Sequence, residues 1–217
     1  MSFTVKTDLL RSGHWLRPGG SFKKTSVTIH STGNPTSTPE GERKWLDNAT
    51  NKRSASWHYV VGEGIVIQAI PDNETAWHCG NSTGNNHSIG IEIVESGNRA
   101  KVLMTAAEFT AELLKKYGWG IDKLKRHYDW TGKNCPRILI DKTYIKDNLN
   151  WQWFLKTVAA FLDETVEKIK IIVDGQEIEV ERILKDGYNF CKIRDIAEIC
   201  GVDISCIGNI PVLTKKG

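Results

Sequence analysis

Short apolar strand patterns alternate with helical patterns along residues 1–165. The segments SVTIH (26–30) and IGIEIVE (89–95) read as single strands. WHYVV (57–61) and IVIQAI (65–70) are joined by Gly62-Glu63-Gly64, which is typical of a hairpin. Because strands interleaved with helices have to bury their apolar faces against one another, the pattern predicts an α/β domain with a mixed central β-sheet flanked by helices.

The second half of this region carries two helix signals and one short strand. Thr105 followed by Glu108 forms a capping-box pattern, which predicts a helix from there to Tyr117-Gly118. Asn150 is a good N-cap residue before an apolar stripe, and it predicts a helix through about Lys168. LKRH (124–127) between them is predicted to be a short strand.

The composition changes near residue 165. All eight tryptophans precede residue 154, whereas three of the five cysteines follow residue 190. Beyond this point, hairpin turns are predicted at Asp174-Gly175 and Asp186-Gly187, and RDIAEIC predicts a short helix that Gly201 stops. We therefore predict two domains, a larger one over residues 1–165 and a small α+β module over 168–217.

Charge and cysteine usage exclude several classes of protein. The net charge of +3 comes without basic clusters interleaved with aromatics, so no nucleic-acid partner is predicted. No apolar run approaches the roughly 18 residues of a membrane span, and the first residues lack the pattern of a signal peptide, so we expect no membrane insertion and synthesis in the cytoplasm. Five cysteines in such a chain argue against a disulfide framework.

Three side chains are candidates for binding a metal. His30 and His127 each end a predicted strand, and Cys135 follows His127 after a loop. Two imidazoles and a thiolate suit zinc, and three protein ligands with a fourth position open are what hydrolytic zinc requires. The spacing alone leaves Cys135 open to other interpretations, namely a nucleophile, a disulfide partner or a buried thiol.

Two charged residues are further candidates for the chemistry of this site. Glu92 interrupts the apolar strand IGIEIVE, where a carboxylate costs desolvation energy unless it has a partner or a catalytic purpose. Strand alternation with Ile91 and Ile93 would equally allow Glu92 to face solvent. Lys133 precedes Cys135 by two positions and is either a solvated loop lysine or a cation beside the metal.

Several motifs in order resemble one known family over about residues 8–160. They are VTIHSTGNP with the following ERKWL, SWHYVVGEGIVIQAIP, AWHCGN, NNHSIGIEIVE and LKRHYDWTGKNCPR. These motifs and their order resemble those of the zinc-dependent N-acetylmuramoyl-L-alanine amidases, a type shared by phage endolysins, bacterial autolysins and animal peptidoglycan-recognition proteins. The resemblance implies an enzyme that cleaves the amide between N-acetylmuramic acid and L-alanine in peptidoglycan.

The resemblance also implies roles for individual residues. His30, His127 and Cys135 would bind Zn²⁺, Glu92 would be the general base, and Lys133 would stabilise the oxyanion. Substrate contacts are expected from four further residues: Trp57, His58, His78 and Asn34. Trp57 stands where some members carry a tyrosine, while Tyr59 is expected on the opposite face of its strand. Cys79 is interpreted as a small buried filler.

The remaining expectations concern location and partners. VDGQEIEVERILKDGYNFCKIRDIAEICG resembles a surface-protein repeat named after the N-terminal stalk of copper amine oxidases, which suggests that the module binds a wall polymer. We expect an endolysin that reaches the cell wall after holin-type release, of phage or bacterial origin. The alternatives are a peptidoglycan-binding protein without activity, a cytosolic amidase that recycles wall fragments, and a structural zinc protein.

Overall fold

The computed structural model describes residues 3–163, 166–173, 176–185, 188–191, 193–207 and 210–215. The chain divides into two compact units, Met1–Leu162 and Asp163–Gly217. In the first unit the strands are β1 Thr4–Thr7, β2 Ser26–Ser31, β3 Tyr59–Gly62, β4 Ile65–Gln68, β5 Ser88–Ile93 and β6 Leu124–Arg126. Its helices are α1 Pro39–Asp47, α2 Ser82–His87, α3 Arg99–Lys116, α4 Tyr128–Thr131, α5 Arg137–Ile140 and α6 Trp151–Asp163, which ends at the unit boundary.

A single six-stranded sheet organises the first unit, in the order β1-β4-β3-β5-β2-β6. β3 and β4 form the predicted antiparallel hairpin, whereas β2 runs parallel to both β5 and β6. Helix α3 packs on β2, β3 and β5, and α1 packs on β3 and β4. The prediction of an α/β fold with a mixed central sheet flanked by helices is confirmed. The edge strand β1, which pairs with β4, was not predicted.

The two central strands β2 and β5 have chemically different faces. Their odd-numbered residues include Val27, Ile29, Ile89 and Ile91, all fully buried. Tyr59 of β3 pairs with Ile91 of β5 and contacts Phe109 of α3. The face that carries the odd-numbered residues is therefore the one covered by α3. The even face carries Thr28 and His30 on β2, paired with Gly90 and Glu92 on β5. Alternation along a strand thus separates an apolar face from a polar one.

Helix α3 begins six residues before the predicted start, so that prediction was wrong. Asn98 is the N-cap, and its side chain accepts a hydrogen bond from the Lys101 amide. Thr105 lies inside the helix, where its hydroxyl donates to the Lys101 carbonyl at 3.0 Å and accepts from the Gly64 amide at 3.1 Å. The threonine is therefore occupied by a tertiary contact to the β3–β4 turn and does not cap a helix.

Helix α6 begins as predicted and ends early. Asn150 caps it, since its side chain accepts from the Trp153 amide at 3.0 Å. The helix stops at Asp163 and not near Lys168, because β7 already begins at Val166. Within the described ranges, no helix combines the length and apolar character needed to cross a membrane.

The second unit contains three strands in one sheet, a helix and a separate strand pair. Its elements are β7 Val166–Val173, β8 Gln176–Lys185, β9 Tyr188–Cys191, α7 Ile193–Ile199, β10 Val202–Ile207 and β11 Ile210–Lys215. The antiparallel pairs β7–β8 and β8–β9 match the predicted hairpins, although both Asp-Gly turns lie outside the described residues. Gly201, at φ +63°, follows α7 as predicted, whereas the β10–β11 pair was not predicted.

Candidate metal centre

Parallel pairing of β2 with β6 brings the two predicted histidine ligands together. His30 is the penultimate residue of β2, and His127 follows β6, with its amide donating to the Ile29 carbonyl at 3.2 Å. The Nδ1 atoms of His30 and His127 lie 3.0 Å apart, and Cys135 Sγ lies 3.8 Å from His30 Nδ1. All three side chains are buried. Residues separated by 97 positions thus place two nitrogens and one sulfur around one point.

The donor set fits zinc in both spacing and chemistry. Tetrahedral zinc, with bonds of about 2.0–2.3 Å, separates its nitrogen and sulfur donors by about 3.3–3.6 Å, close to what is found here. Burial, together with the charges of His78, His127 and Lys133, holds the pKa of His30 well below its usual value. Burial and Lys133 lower the pKa of His127 to about 4, so both rings are neutral and can donate a lone pair. Burial raises the pKa of the Cys135 thiol to about 12, and a thiolate there requires a cation beside it.

A second trio of possible donors shares His30. Its other members are His78 and Cys79, and their donor atoms also lie within 4.8 Å of one another. His30 Nε2 and His78 Nδ1 are 2.9 Å apart and form a hydrogen bond. Cys79 is fully buried. It is not among the described residues that line the cavity, whereas His30, His127 and Cys135 are. We therefore place the candidate metal at the first trio, where a substrate has access. Cys79 itself packs as the small buried residue that the sequence predicted.

The loop between His127 and Cys135 is fixed by its own hydrogen bonds. The Tyr128 amide donates to the Cys135 carbonyl at 2.9 Å, and Gly132 adopts φ +73° to end α4. Trp130, for which the sequence suggested no role, donates from Nε1 to Thr28 Oγ1 at 2.9 Å. These contacts hold the loop against the polar face of β2 and so set the position of the thiol relative to the two imidazoles.

An ion pair between the buried Glu95 and the half-buried Arg137 connects two segments next to the metal donors. Glu95, which follows β5, accepts hydrogen bonds from the Arg137 guanidinium at 2.6 and 2.9 Å. The same carboxylate accepts from the amide of Gly33, in the loop that follows His30, at 3.1 Å. Since Arg137 lies two residues after Cys135, one carboxylate ties the loop after the first ligand to the segment after the third.

Glu92 and Lys133 line the same cavity of about 320 Å³ as the three donors. Glu92 Oε2 is buried without a hydrogen-bond partner among the described residues. Burial and the charge of Glu42 raise the pKa of Glu92 to about 8, although Lys133 acts in the opposite direction. Glu92 therefore lies half-buried on the even face of β5, where it lines the cavity. The side chain can exchange a proton near neutral pH.

Aromatic side chains line part of the same cavity. Trp57, for which a substrate contact was expected, lines it and stacks on Trp45, with ring centroids 5.7 Å apart and planes inclined by 14°. Trp77 and Arg53 also line it, as does Asn34, whose side chain accepts hydrogen bonds from the Thr36 amide and hydroxyl. Tyr59 is on the opposite face of the sheet, as predicted, where its hydroxyl donates to Asp72.

The two other histidines predicted to contact substrate differ in position. His78 lines the cavity, but its ring is only 7% exposed and points to His30 and Ser88. His58 is fully buried, and the described cavity lining does not include it. Its Nδ1 accepts from the Gly90 amide at 2.9 Å and its Nε2 donates to the Glu74 carbonyl at 3.0 Å. With both nitrogens occupied by backbone groups, His58 supports the sheet and is not placed to contact a substrate.

Sequence reasoning missed residues that shape this site. Trp45 was available in the ERKWL helix pattern, where an aromatic side chain on a helix leading away from the His30 loop is a candidate for the cleft. Glu95 carried the same signal as Glu92, an acid at the end of an apolar strand. Nothing in the sequence indicated Arg137 as its partner.

Comparison with known proteins places this geometry in a family. The model of the family described as N-acetylmuramoyl-L-alanine amidase matches residues 22–138, which are more than half of the chain. The amidase CwlA of Bacillus subtilis is 42% identical over 150 residues, covering 65% of this chain and 54% of CwlA. The solved catalytic domain of XlyA is 30% identical with a TM-score of 0.64, covering 71% of this chain and 99% of that domain.

A mutant endolysin from Bacillus subtilis superposes with a TM-score of 0.65 at 30% identity, covering 72% of this chain and 99% of that structure. The chain spans about half the length of the curated relatives CwlA and XlyB. The match of residues 22–138 includes the three candidate metal donors and Glu92. The chain belongs to the N-acetylmuramoyl-L-alanine amidase family.

Proposed function

We propose that this chain is a zinc-dependent peptidoglycan hydrolase that cleaves the amide between N-acetylmuramic acid and L-alanine. One observation carries the proposal: two neutral imidazoles, a thiol, a lysine and a carboxyl whose Oε2 has no partner among the described residues converge on one cavity. A hydrolase that activates water needs a metal, a proton carrier and a cation for the oxyanion, and these side chains supply the ligands and groups for each. Family membership supports the choice of bond.

His30, His127 and Cys135 would hold the zinc. When bound, zinc supplies Lewis-acid polarisation of the scissile carbonyl and lowers the pKa of water in the site. The buried imidazoles are already neutral, so binding costs them no proton, whereas Cys135 must lose its proton.

Glu92 and Lys133 would carry the remaining chemistry. Glu92 Oε2, free of partners among the described residues, would take the proton of the attacking water and then deliver it to the departing alanine nitrogen. Lys133 is exposed and lines the cavity, so its ammonium group is free to approach the carbonyl oxygen as negative charge develops there. Proton transfer and charge stabilisation are thus assigned to different side chains.

The aromatic wall would position the substrate. Trp45, which is half-buried and stacks on the buried Trp57, offers flat apolar surface of the kind that packs on sugar rings, and Asn34 lies on the loop after His30. We retain Trp57 and Asn34 as substrate contacts. We do not retain His58, because both its ring nitrogens are bonded to backbone groups, and we assign His78 a different role below.

Digestion of purified cell walls tests the proposed bond. Mass spectrometry should find new N-terminal alanine on released peptides and intact lactyl groups on the glycan. A chelator should abolish the release, and added zinc should restore it. Cleavage within the glycan or between peptide residues would overturn the assignment, and so would full activity at a measured zinc content of zero.

Two rival functions in the same family predict different results. A recognition protein without activity would bind walls and release nothing, but such proteins lack the cysteine ligand, and Cys135 is in place here. A recycling amidase would prefer soluble muropeptides to intact walls. Comparing the rates on both substrates separates these functions from an endolysin, which the likeness to a solved endolysin supports.

We further infer that the second unit attaches the enzyme to a wall polymer after holin-type release to the wall. In this unit, β7 and β8 carry exposed cross-strand pairs, Lys168 with Glu179 and Lys170 with Glu177, each at 2.8 Å. Truncation after Asp163 should leave the metal centre whole and weaken sedimentation with purified walls. Equal sedimentation and lysis by the truncated and full chains would contradict this inference.

A further inference from the structure

A chain of hydrogen bonds leads from the backbone of β5 to the first metal donor. His78 Nε2 lies 3.3 Å from the Ser88 carbonyl, and His78 Nδ1 lies 2.9 Å from His30 Nε2. A carbonyl oxygen only accepts, so His78 must carry its proton on Nε2. The neutral ring then accepts at Nδ1, which requires the proton of His30 to be on Nε2. His30 Nδ1 is left with its lone pair directed at His127 Nδ1, 3.0 Å away.

We propose that His78 is a positioning residue that fixes the tautomer and the ring orientation of His30, so that His30 Nδ1 is always ready to bind the metal. The inference rests on the proposed zinc function, which it deepens, and it replaces the substrate contact first predicted for His78. Hydrogen bonds of this kind to a metal-binding histidine typically affect metal affinity by about 10–100-fold.

The ring of His78 is held rigidly enough to do this. The amides of His78 and Cys79 both donate to Asn85 Oδ1, at 3.0 and 2.8 Å. A Cβ atom at Gly90 would lie 2.7 Å from His78 Cγ and Nδ1, so the strand beneath the ring must have glycine there. His58 packs edge-on against the ring, with centroids 5.6 Å apart. A ring enclosed in this way cannot rotate to exchange its two nitrogens.

Three substitutions of His78 separate the relay from simple packing. His78→Leu removes both polar atoms. His78→Asn places an amide oxygen at the position of Nδ1, whereas His78→Gln reaches only the position of Nε2. His87→Leu is the matched control, because that ring also bonds a backbone carbonyl, at Lys23, and does not contact His30. Zinc affinity of each full-length chain is measured by competition with a chromogenic chelator.

We expect His78→Leu and His78→Gln to weaken zinc binding by about 10–100-fold, His78→Asn to recover most of the loss, and His87→Leu to have no effect. Histidine ¹⁵N chemical shifts in the metal-free chains provide a second readout, in which His30 is protonated on Nε2 in the wild type and on a mixture of nitrogens in His78→Leu. Wild-type zinc affinity in a folded His78→Leu chain overturns the proposal. If His78→Leu does not fold, equal affinity of the Asn and Gln variants overturns it.

The two readouts distinguish failure of the relay from failure of the zinc assignment. If the wild-type chain binds no zinc, the proposed function is wrong, and the nitrogen shifts of the metal-free chain still decide whether His78 sets the protonation of His30. If the wild type binds zinc but His30 has the same mixture of protonated nitrogens with and without His78, the relay is wrong and the zinc function stands.

Discussion

The two faces of strands β2 and β5 have opposite chemistry. On the face covered by α3, Ile29 and Ile91 are fully buried and belong to the hydrophobic core. On the other face, His30 pairs with Glu92 across the strands, and both point into the cavity. Because successive side chains of a strand point to opposite faces, apolar and polar groups occupy neighbouring positions in the same short strands.

The faces also differ in how their polar groups are satisfied. Beside the apolar face, Asp72 accepts hydrogen bonds from Tyr59, from Tyr117 at 2.7 Å and from Lys116 at 2.8 Å. On the cavity side, Glu92 Oε2 has no partner among the described residues, and the two Nδ1 atoms face each other. The face covered by α3 therefore contributes stability, whereas the cavity face holds polar groups without full hydrogen bonding that are available for chemistry. Adjacent residues should then have separable effects.

The largest expected effect is that of Glu92→Gln on the rate of wall hydrolysis. The amide fills the same space and cannot accept a proton, so the rate should fall by about 10²–10⁴-fold, the range of a general base. The free energy of unfolding should not fall, because Oε2 gives up no partner among the described residues. Turbidity loss of purified walls and zinc content are measured together. Wild-type turbidity loss would remove Glu92 from the mechanism.

Its neighbour Ile91 should show the reverse behaviour. Ile91→Ala leaves a cavity beneath α3 at a fully buried position and should cost about 3 kcal/mol of unfolding free energy. The rate per folded molecule should stay close to wild type, since the side chain points away from the metal donors. Urea unfolding followed by tryptophan fluorescence gives the first number and wall hydrolysis at low temperature the second. A large loss of rate in the folded fraction would show that the two faces are not separable.

Asp72→Asn tests the satisfied polar cluster. Tyr59 donates to Oδ1 of Asp72 and Tyr117 donates to Oδ2, so the amide keeps an acceptor oxygen for only one of the two hydroxyls and also loses the charge that faces Lys116. A loss of about 2 kcal/mol is expected, as for a buried group whose hydrogen bonds are partly broken, with hydrolysis per folded molecule unchanged. Lys116→Met is the comparison variant: its side chain is 58% exposed, and a smaller loss is expected. Equal losses would mean that the ion pair, and not the tyrosine bonds, dominates.

Local patterns were enough to predict strands β2 to β6 and to single out His30, His127 and Cys135 as candidates for binding a metal. His30 and His127 each follow a short apolar run, and side chains at the ends of neighbouring strands meet. What those patterns could not give was the order of strands, because β2 lies between β5 and β6 through pairings that depend on the whole chain. The position of His78 beneath His30 is of this kind, since it comes from a loop and not from a strand end.

The errors in helix boundaries have the same physical origin. Thr105 and Glu108 have the spacing of a capping box, but Asn98 caps earlier, and the Thr105 hydroxyl is used by the β3–β4 turn. Glu95 and Arg137 lie 42 positions apart and join only after the sheet has formed. Contacts between residues far apart in the sequence can thus outweigh a local capping pattern, and no local sequence pattern indicates these contacts.

The smallest effect should appear in the pH dependence of the Asp72 cluster. Burial alone would raise the pKa of Asp72, but hydrogen bonds from Lys116, Tyr59 and Tyr117 outweigh it and hold the pKa below the ordinary value. A carboxyl with a lowered folded-state pKa stabilises the protein fully above its unfolded value, about 3.9, and this stabilisation is lost as the pH falls through the folded value. The difference in unfolding free energy between wild type and Asp72→Asn should therefore be constant from about pH 5 upward and shrink below about pH 4. Urea unfolding of both chains is measured across this pH range in the presence of a chelator, which removes the metal. Taking the difference between the two chains cancels the contribution of the other carboxyls. A difference that grows as the pH falls would reverse the sign and show that Asp72 is buried without adequate partners.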